Sequence, residues 1–198
     1  MSRARVAIRP KAPSDDPSVL DLARSLPKWF TEQGVREIAE DVKTHRGFVA
    51  VSGGEVVGFV TWAETGPGIA NLSWMAVRES LRHTGIGTRL LAALEKELPP
   101  QGYRILEVST VADSVEYAPY SETRRFYRSR GFVEHRLDAK FFGEGEDRYD
   151  RLFLRKTLIG LLQRWRNRRT LTPAPRWPGR PRRARRYGRD SRASPRLP

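Results

Sequence analysis

Three features of this sequence predict a mixed α/β fold. The first is the stretch 70–98, where an uncharged strand pattern (ANLSWMAV) passes through a glycine-containing loop into a leucine-striped helix (TRLLAALEKEL). The second is a pair of short apolar runs, 47–52 and 55–64, joined by Gly53-Gly54, which is the composition of a β-hairpin. The third is the succession of strand and helix patterns, which predicts the order β-α-α-β-β-β-α-β-α-β-β.

Each element has its own reason. Residues 6–9 (VAIR) form a short first strand closed by Pro10. Asp15, Asp16 and Pro17 supply an N-cap and a first-turn proline ahead of Val19, Leu20, Leu22, Ala23 and Leu26, so a helix starts near residue 15. Pro27 interrupts it before Trp29-Phe30. A second helix is expected at 32–43, with Val35, Ile38, Ala39 and Val42 on its apolar face. After the hairpin, Leu72, Trp74 and Ala76 alternate with Ser73, Met75 and Val77 in the strand 70–77. The helix that follows carries Leu90, Leu91, Leu94 and Leu98 on one stripe, and Pro99-Pro100 stop it. Residues 103–110 (YRILEVST) form another strand, 121–130 a helix ended by Gly131, and 132–137 and 149–154 the last two strands.

The chain has 198 residues, of which 38% are hydrophobic, enough for one domain with a real core. Its net charge of +14 divides unevenly. Residues 1–159 hold 24 Lys/Arg against 22 Asp/Glu, whereas residues 160–198 hold 13 Arg against one acid, Asp190. The expected division is therefore a near-neutral domain, 1–158, and a basic Arg/Pro-rich tail, 159–198. In the tail Leu158, Leu161, Leu162 and Trp165 share a helical face, and the Pro- and Arg-rich remainder is too polar to fold alone. The tail suits nucleic acid or an anionic surface, with Trp177 and Tyr187 as stacking groups, or it is a solvated extension without a function of its own. Cysteine is absent and the three histidines (His45, His83, His135) lie far apart, so no disulfide and no metal centre is expected. No apolar run approaches the ~18 residues of a membrane span, and the basic N-terminus lacks the apolar core of a signal peptide. A cytoplasmic protein, monomeric or homodimeric, is expected.

Between strand and helix lies Arg82-His83-Thr84-Gly85-Ile86-Gly87-Thr88. Two glycines permit a tight turn in which successive N–H groups point the same way as the helix opens. A helix start carries unpaired N–H groups and partial positive charge, which together make a phosphate seat. The spacing excludes two other phosphate loops: no Lys precedes a Ser or Thr after Gly87, and the position where a dinucleotide fingerprint needs its third glycine is Leu90. Val77, Arg82, Gly85 and Gly87 at these spacings, followed by an apolar helix, resemble motif A of the GNAT superfamily of N-acetyltransferases. The order of elements over residues 5–157 is similar too.

The resemblance implies a GNAT fold, a central mixed twisted sheet flanked by helices, and an enzyme that moves the acetyl group of acetyl-coenzyme A to a primary amine on a small molecule or protein. With no cysteine to carry the acetyl group, it favours direct attack in a ternary complex over double displacement. It implies coenzyme contacts at Met75, Val77, Arg82, Thr84, Gly85, Ile86, Gly87 and Thr88. Residues 123–127 (TRRFY), four positions before Gly131-Phe132, look like motif B, whose tyrosine lies near the thioester sulfur. That makes Tyr127 the general acid, or else a core aromatic. The strand 70–77 offers no acid or His. Glu107, inside the apolar run Ile105-Leu106-Glu107-Val108, resembles the base of protein N-terminal acetyltransferases, or is a salt-bridged structural residue; Glu64 is the second choice. Tyr120 stands where the family has a pantetheine-binding Asn. Acidic and aromatic residues at 113–120 and 143–147 suit a cationic acceptor, or are simply solvated. The competing class is a coenzyme A-binding or non-catalytic module of the same fold, tethered to nucleic acid by its Arg-rich tail.

Overall fold

A computed structural model describes residues 5–142 and 148–158. Seven strands and four α-helices follow the expected order: β1 (Ala7–Pro10), α1 (Asp16–Arg24), α2 (Glu32–Asp41), β2 (Arg46–Ser52), β3 (Glu55–Gly66), β4 (Ile69–Val77), α3 (Ile86–Glu97), β5 (Ile105–Val111), α4 (Ala118–Ser129), β6 (Val133–Phe142) and β7 (Tyr149–Thr157). The loop 143–147 and the tail 159–198, with its expected amphipathic helix, lie outside the described residues.

The strands form one sheet in the order β1-β2-β3-β4-β5-β7-β6. Every neighbouring pair is antiparallel except β4 and β5, which run parallel around the crossover through α3. The Gly53-Gly54 turn joins β2 to β3, and both glycines take positive φ (58° and 85°), the conformation a two-residue hairpin turn needs.

Helices cover both faces. On one, α3 and α4 bury Leu90, Leu91, Leu94 and Tyr127 against Leu72, Leu106, Val108 and Leu154. On the other, α1 and α2 bury Val19, Leu22, Ala23 and Ile38 against Val49, Phe59 and Ala76. Asp15 does not cap α1 with its side chain. Its carboxylate accepts instead from Arg9 (2.7 Å) and from the Ala12 N–H (2.8 Å), because a 3₁₀ turn at Pro13–Asp15 precedes the helix.

One departure from simple alternation matters for the site. Thr61 pairs with Trp74 and Trp62 with Leu72, which leaves Ser73 as an extra residue in β4. This bulge inverts the side-chain pattern part-way along the strand. Leu72 therefore packs with α3, while Trp74 and Ala76 pack on the α1–α2 side.

Candidate active site

β4 and β5 pair over only four positions, Ile69, Ala70, Asn71 and Leu72 against Ile105, Leu106, Glu107 and Val108. Beyond them β4 continues on β3 and β5 continues on β7, but the two no longer pair with each other. The bulge at Ser73 lies where they part, and a bulge bends and twists its strand. A parting in mid-sheet leaves main-chain N–H and C=O groups without ladder partners, and such groups need another partner when they are shielded from water. A cleft of about 760 Å³ opens there, walled by both strand ends, the loop before α3, α2 and α4.

At one end lies the loop. Gly85 is the N-cap of α3 at φ 86°, and no side chain caps that helix. The N–H groups of its first turn are thus free for an outside acceptor, and the helix dipole favours an anion there. A Cβ on Gly87 would lie 3.6 Å from the Phe126 ring and 3.8 Å from Val77, so glycine leaves the cleft open at its narrow point. Arg82 pairs with Glu122 of α4 at 3.2 Å and lies 4.1 Å over the Trp29 ring. Arg125 and Arg130 also line the cleft.

Of the sequence-predicted coenzyme residues, Met75, Val77, Arg82, Gly85, Gly87 and Thr88 line the cleft together. Thr84 does not; its hydroxyl donates to the Leu81 carbonyl at 2.6 Å and so shapes the turn. The Ile86 side chain is buried in the core, which leaves only its main chain at the loop.

Tyr127 reaches the cleft from α4, its ring packed edge-on against Phe126 and Phe132, each at 5.3 Å. Burial alone pushes its phenol well above the ordinary value. Tyr120, about two α4 turns earlier, also lines the cleft; burial pushes it up to about 12, with the Tyr117 and Tyr149 phenols adding to the shift. Arg124 secures the turn that holds α4 in place. Buried in the core, it donates to Asp113 (2.8 Å), to the Val111 and Ala112 carbonyls (3.0 and 3.1 Å) and to the Ser121 hydroxyl (3.0 Å).

Neither carboxylate expected as the base lines this cleft. Glu107 and Arg155 are register partners on β5 and β7, and Arg155 donates to Glu107 at 2.7 Å. Glu64 accepts from the Tyr103 hydroxyl at 3.1 Å, at the far end of β3. Among the described residues the cleft has two other carboxylates, Glu122, already paired with Arg82, and Glu37 on α2. Burial raises the Glu37 carboxyl; a bond from Gln33 (3.2 Å) works against this, and the charge of Asp41 adds to it. Sequence reasoning passed over Glu37 because a charged residue on an amphipathic helix ordinarily faces water. The available signal was the i, i+4 stripe Gln33-Glu37-Asp41 beside the apolar face. Asp41 on that stripe accepts from the Trp74 indole N–H at 2.7 Å, which turns the stripe toward β4. Among the described residues no group of three or more His, Cys, Asp or Glu could hold a metal ion, and no helix is long and apolar enough to cross a membrane.

Residues 43–134 match the family model described as an acetyltransferase (GNAT) domain. No curated protein matches the chain significantly. Among solved structures, a GNAT-family protein from Desulfovibrio desulfuricans superposes with a TM-score of 0.67 at 23% identity, over 78% of this chain and 99% of that one. The ribosomal-protein-S18-alanine N-acetyltransferase of Escherichia coli gives 0.64 at 18% identity, over 78% and 94%. A GNAT acetyltransferase from Elizabethkingia anophelis, solved with acetyl-coenzyme A bound, gives 0.62 at 18%, over 77% and 97%. At these identities the likeness is one of fold. The residues that this family model matches include the hairpin, the parted strand, the loop and the helix bearing Tyr127, and the superposed structures give this chain the GNAT fold.

Proposed function

We propose that the protein transfers the acetyl group of acetyl-coenzyme A to a primary amine by direct attack in a ternary complex. One observation carries this reading: the free edges of two parted strands lead directly to an uncapped helix start at Gly85-Gly87. The loop N–H groups suit a diphosphate, and the unpaired edge of β4 at Met75 and Val77 suits an extended amide-bearing arm. The thioester then lies near Tyr127. What is needed there is simple to state. An alkyl ammonium with a pKa of ~10.4 must give up a proton at a cost of about 4–5 kcal/mol at pH 7, and the departing sulfur must be stabilised.

Tyr127 serves the second need. Its raised pKa keeps the phenol protonated at any physiological pH. A thiol near pKa ~8.5 is the stronger acid, so Tyr127 donates a hydrogen bond to the developing thiolate and does not surrender its proton permanently. Isothermal calorimetry with acetyl-coenzyme A, followed by thiol release on adding an amine panel, tests the reading. Binding heat with amine-dependent release supports it; no heat and no release reject it. The chain has no cysteine, so a thiol reagent sees only the released coenzyme.

A further inference from the structure

Resting on that reading, we infer that the acceptor is a primary monoamine with an aromatic or bulky apolar body, and that Glu37 both binds its ammonium and takes its proton. The charges of the cleft are divided. Arg82, Arg125 and Arg130 gather with the helix start at the loop end, where phosphate belongs. The α2 wall presents one carboxylate with no ion-pair partner among the described residues, Glu37, in a cleft that Phe30, Trp74 and Tyr120 also line. Phe30 and Trp74 meet edge to face at 6.2 Å, and Asp41 holds the Trp74 indole in place. A wall of rings with a single carboxylate suits one cation on an apolar body, because ring faces attract an ammonium and bury hydrocarbon.

Among the described residues that line the cleft, a polyamine's further charges would meet only Glu122, already paired with Arg82, and burying unpaired charge is costly. Two other carboxylates of the described residues are already paired. Asp113 is held by Arg124 and Arg128, and Glu107 by Arg155.

The proton balance is complete. The Glu37 carboxylate accepts one proton from the ammonium and passes it to water. The freed nitrogen lone pair forms the C–N bond, and the C–S pair leaves on sulfur. The second nitrogen proton goes to that thiolate, leaving an amide and a thiol. Burial raises the carboxyl and lowers a buried amine, which works against the mutual attraction of the ion pair and eases the proton's passage from nitrogen to oxygen.

The test uses the full chain and thiol release with 2-phenylethylamine, tryptamine, spermidine and a peptide with a free N-terminal alanine. The expected result is a kcat/KM for the aryl amines at least about tenfold above the other two. Glu37→Gln should lower kcat for the aryl amines by about 10²-fold or more and flatten the acidic limb of the pH profile, with acetyl-coenzyme A binding heat unchanged. Glu37→Asp should recover part of the rate. Preference for spermidine or the peptide, or a Glu37→Gln enzyme with the parent rate and pH profile, overturns the inference while acetyl transfer stands. Absence of acetyl-coenzyme A binding heat overturns the underlying reading instead, and this one with it.

Discussion

Tyr127 packs its ring between Phe126 and Phe132 and is 5% exposed, yet it still lines the cleft. Replacing its hydroxyl with hydrogen leaves those ring contacts intact. Tyr127→Phe should therefore keep its stability and coenzyme affinity while kcat falls about tenfold or more; steady-state thiol release alongside calorimetry checks both halves. This residue was legible in the sequence because its spacing to Gly131-Phe132 is a local pattern. Glu37 was not, since what turns its stripe toward β4 is the bond from Trp74 to Asp41, 33 positions apart, a helix-to-sheet contact that no local window contains. Glu107 was conspicuous for a sound reason, a carboxylate inside an apolar strand, but its partner Arg155 arrives only when β7 pairs with β5.

At the scale of elements, the loop and α4 each rest on a few contacts. Gly87→Glu would place a carboxylate between Val77 and Phe126, where the helix N–H groups meet the cleft. It should abolish the acetyl-coenzyme A binding heat with little change in melting temperature. Arg124→Met removes the clamp on the turn before α4 and leaves the Val111 and Ala112 carbonyls and Asp113 short of partners. Losing this guanidinium strands no buried charge, since Asp113 is exposed and keeps Arg128, but two shielded carbonyls left short of partners cost about 1–3 kcal/mol, a fall in Tm of about 3–10 °C.

Asp113 adds a pH signature. The hydrogen bond from Arg128, with the Arg124 charge behind it, holds its carboxyl below the ordinary value against a smaller opposing effect of burial. That stabilisation is complete above the unfolded carboxylate pKa of ~3.9 and disappears as pH falls through the lower, folded value. The Tm gap between wild type and Asp113→Asn should be widest near neutrality and shrink in acid.

For the molecule as a whole, element order was readable because each hydrophobic period is local, and the two hairpin glycines behave as their type requires. The bulge was not readable: Leu72, Trp74 and Ala76 alternate without a break in the sequence, and only the pairing with β3 shows that Ser73 is extra. Charge is divided at the same scale, with 13 arginines in residues 160–198 and a near-neutral balance over residues 1–159. Deleting residues 160–198 should leave amine-dependent thiol release within about twofold of the full chain, while any binding to nucleic acid, and its steep decline with salt, disappears.

The four residue pairs that join β4 to β5 have a mechanical meaning as well. With the bonds from the Arg104 and Ile105 N–H groups to the Gly68 carbonyl, they tie a plate of four strands to a plate of three at one end, like a half-closed zip. A coenzyme arm lying along the gap would supply the missing rungs. Saturating coenzyme should raise the melting point through linkage, by about 2.7 kcal/mol of stability at a hundred times Kd. Amide hydrogen exchange should slow first at residues 73–77 and 109–111, along the teeth of the zip.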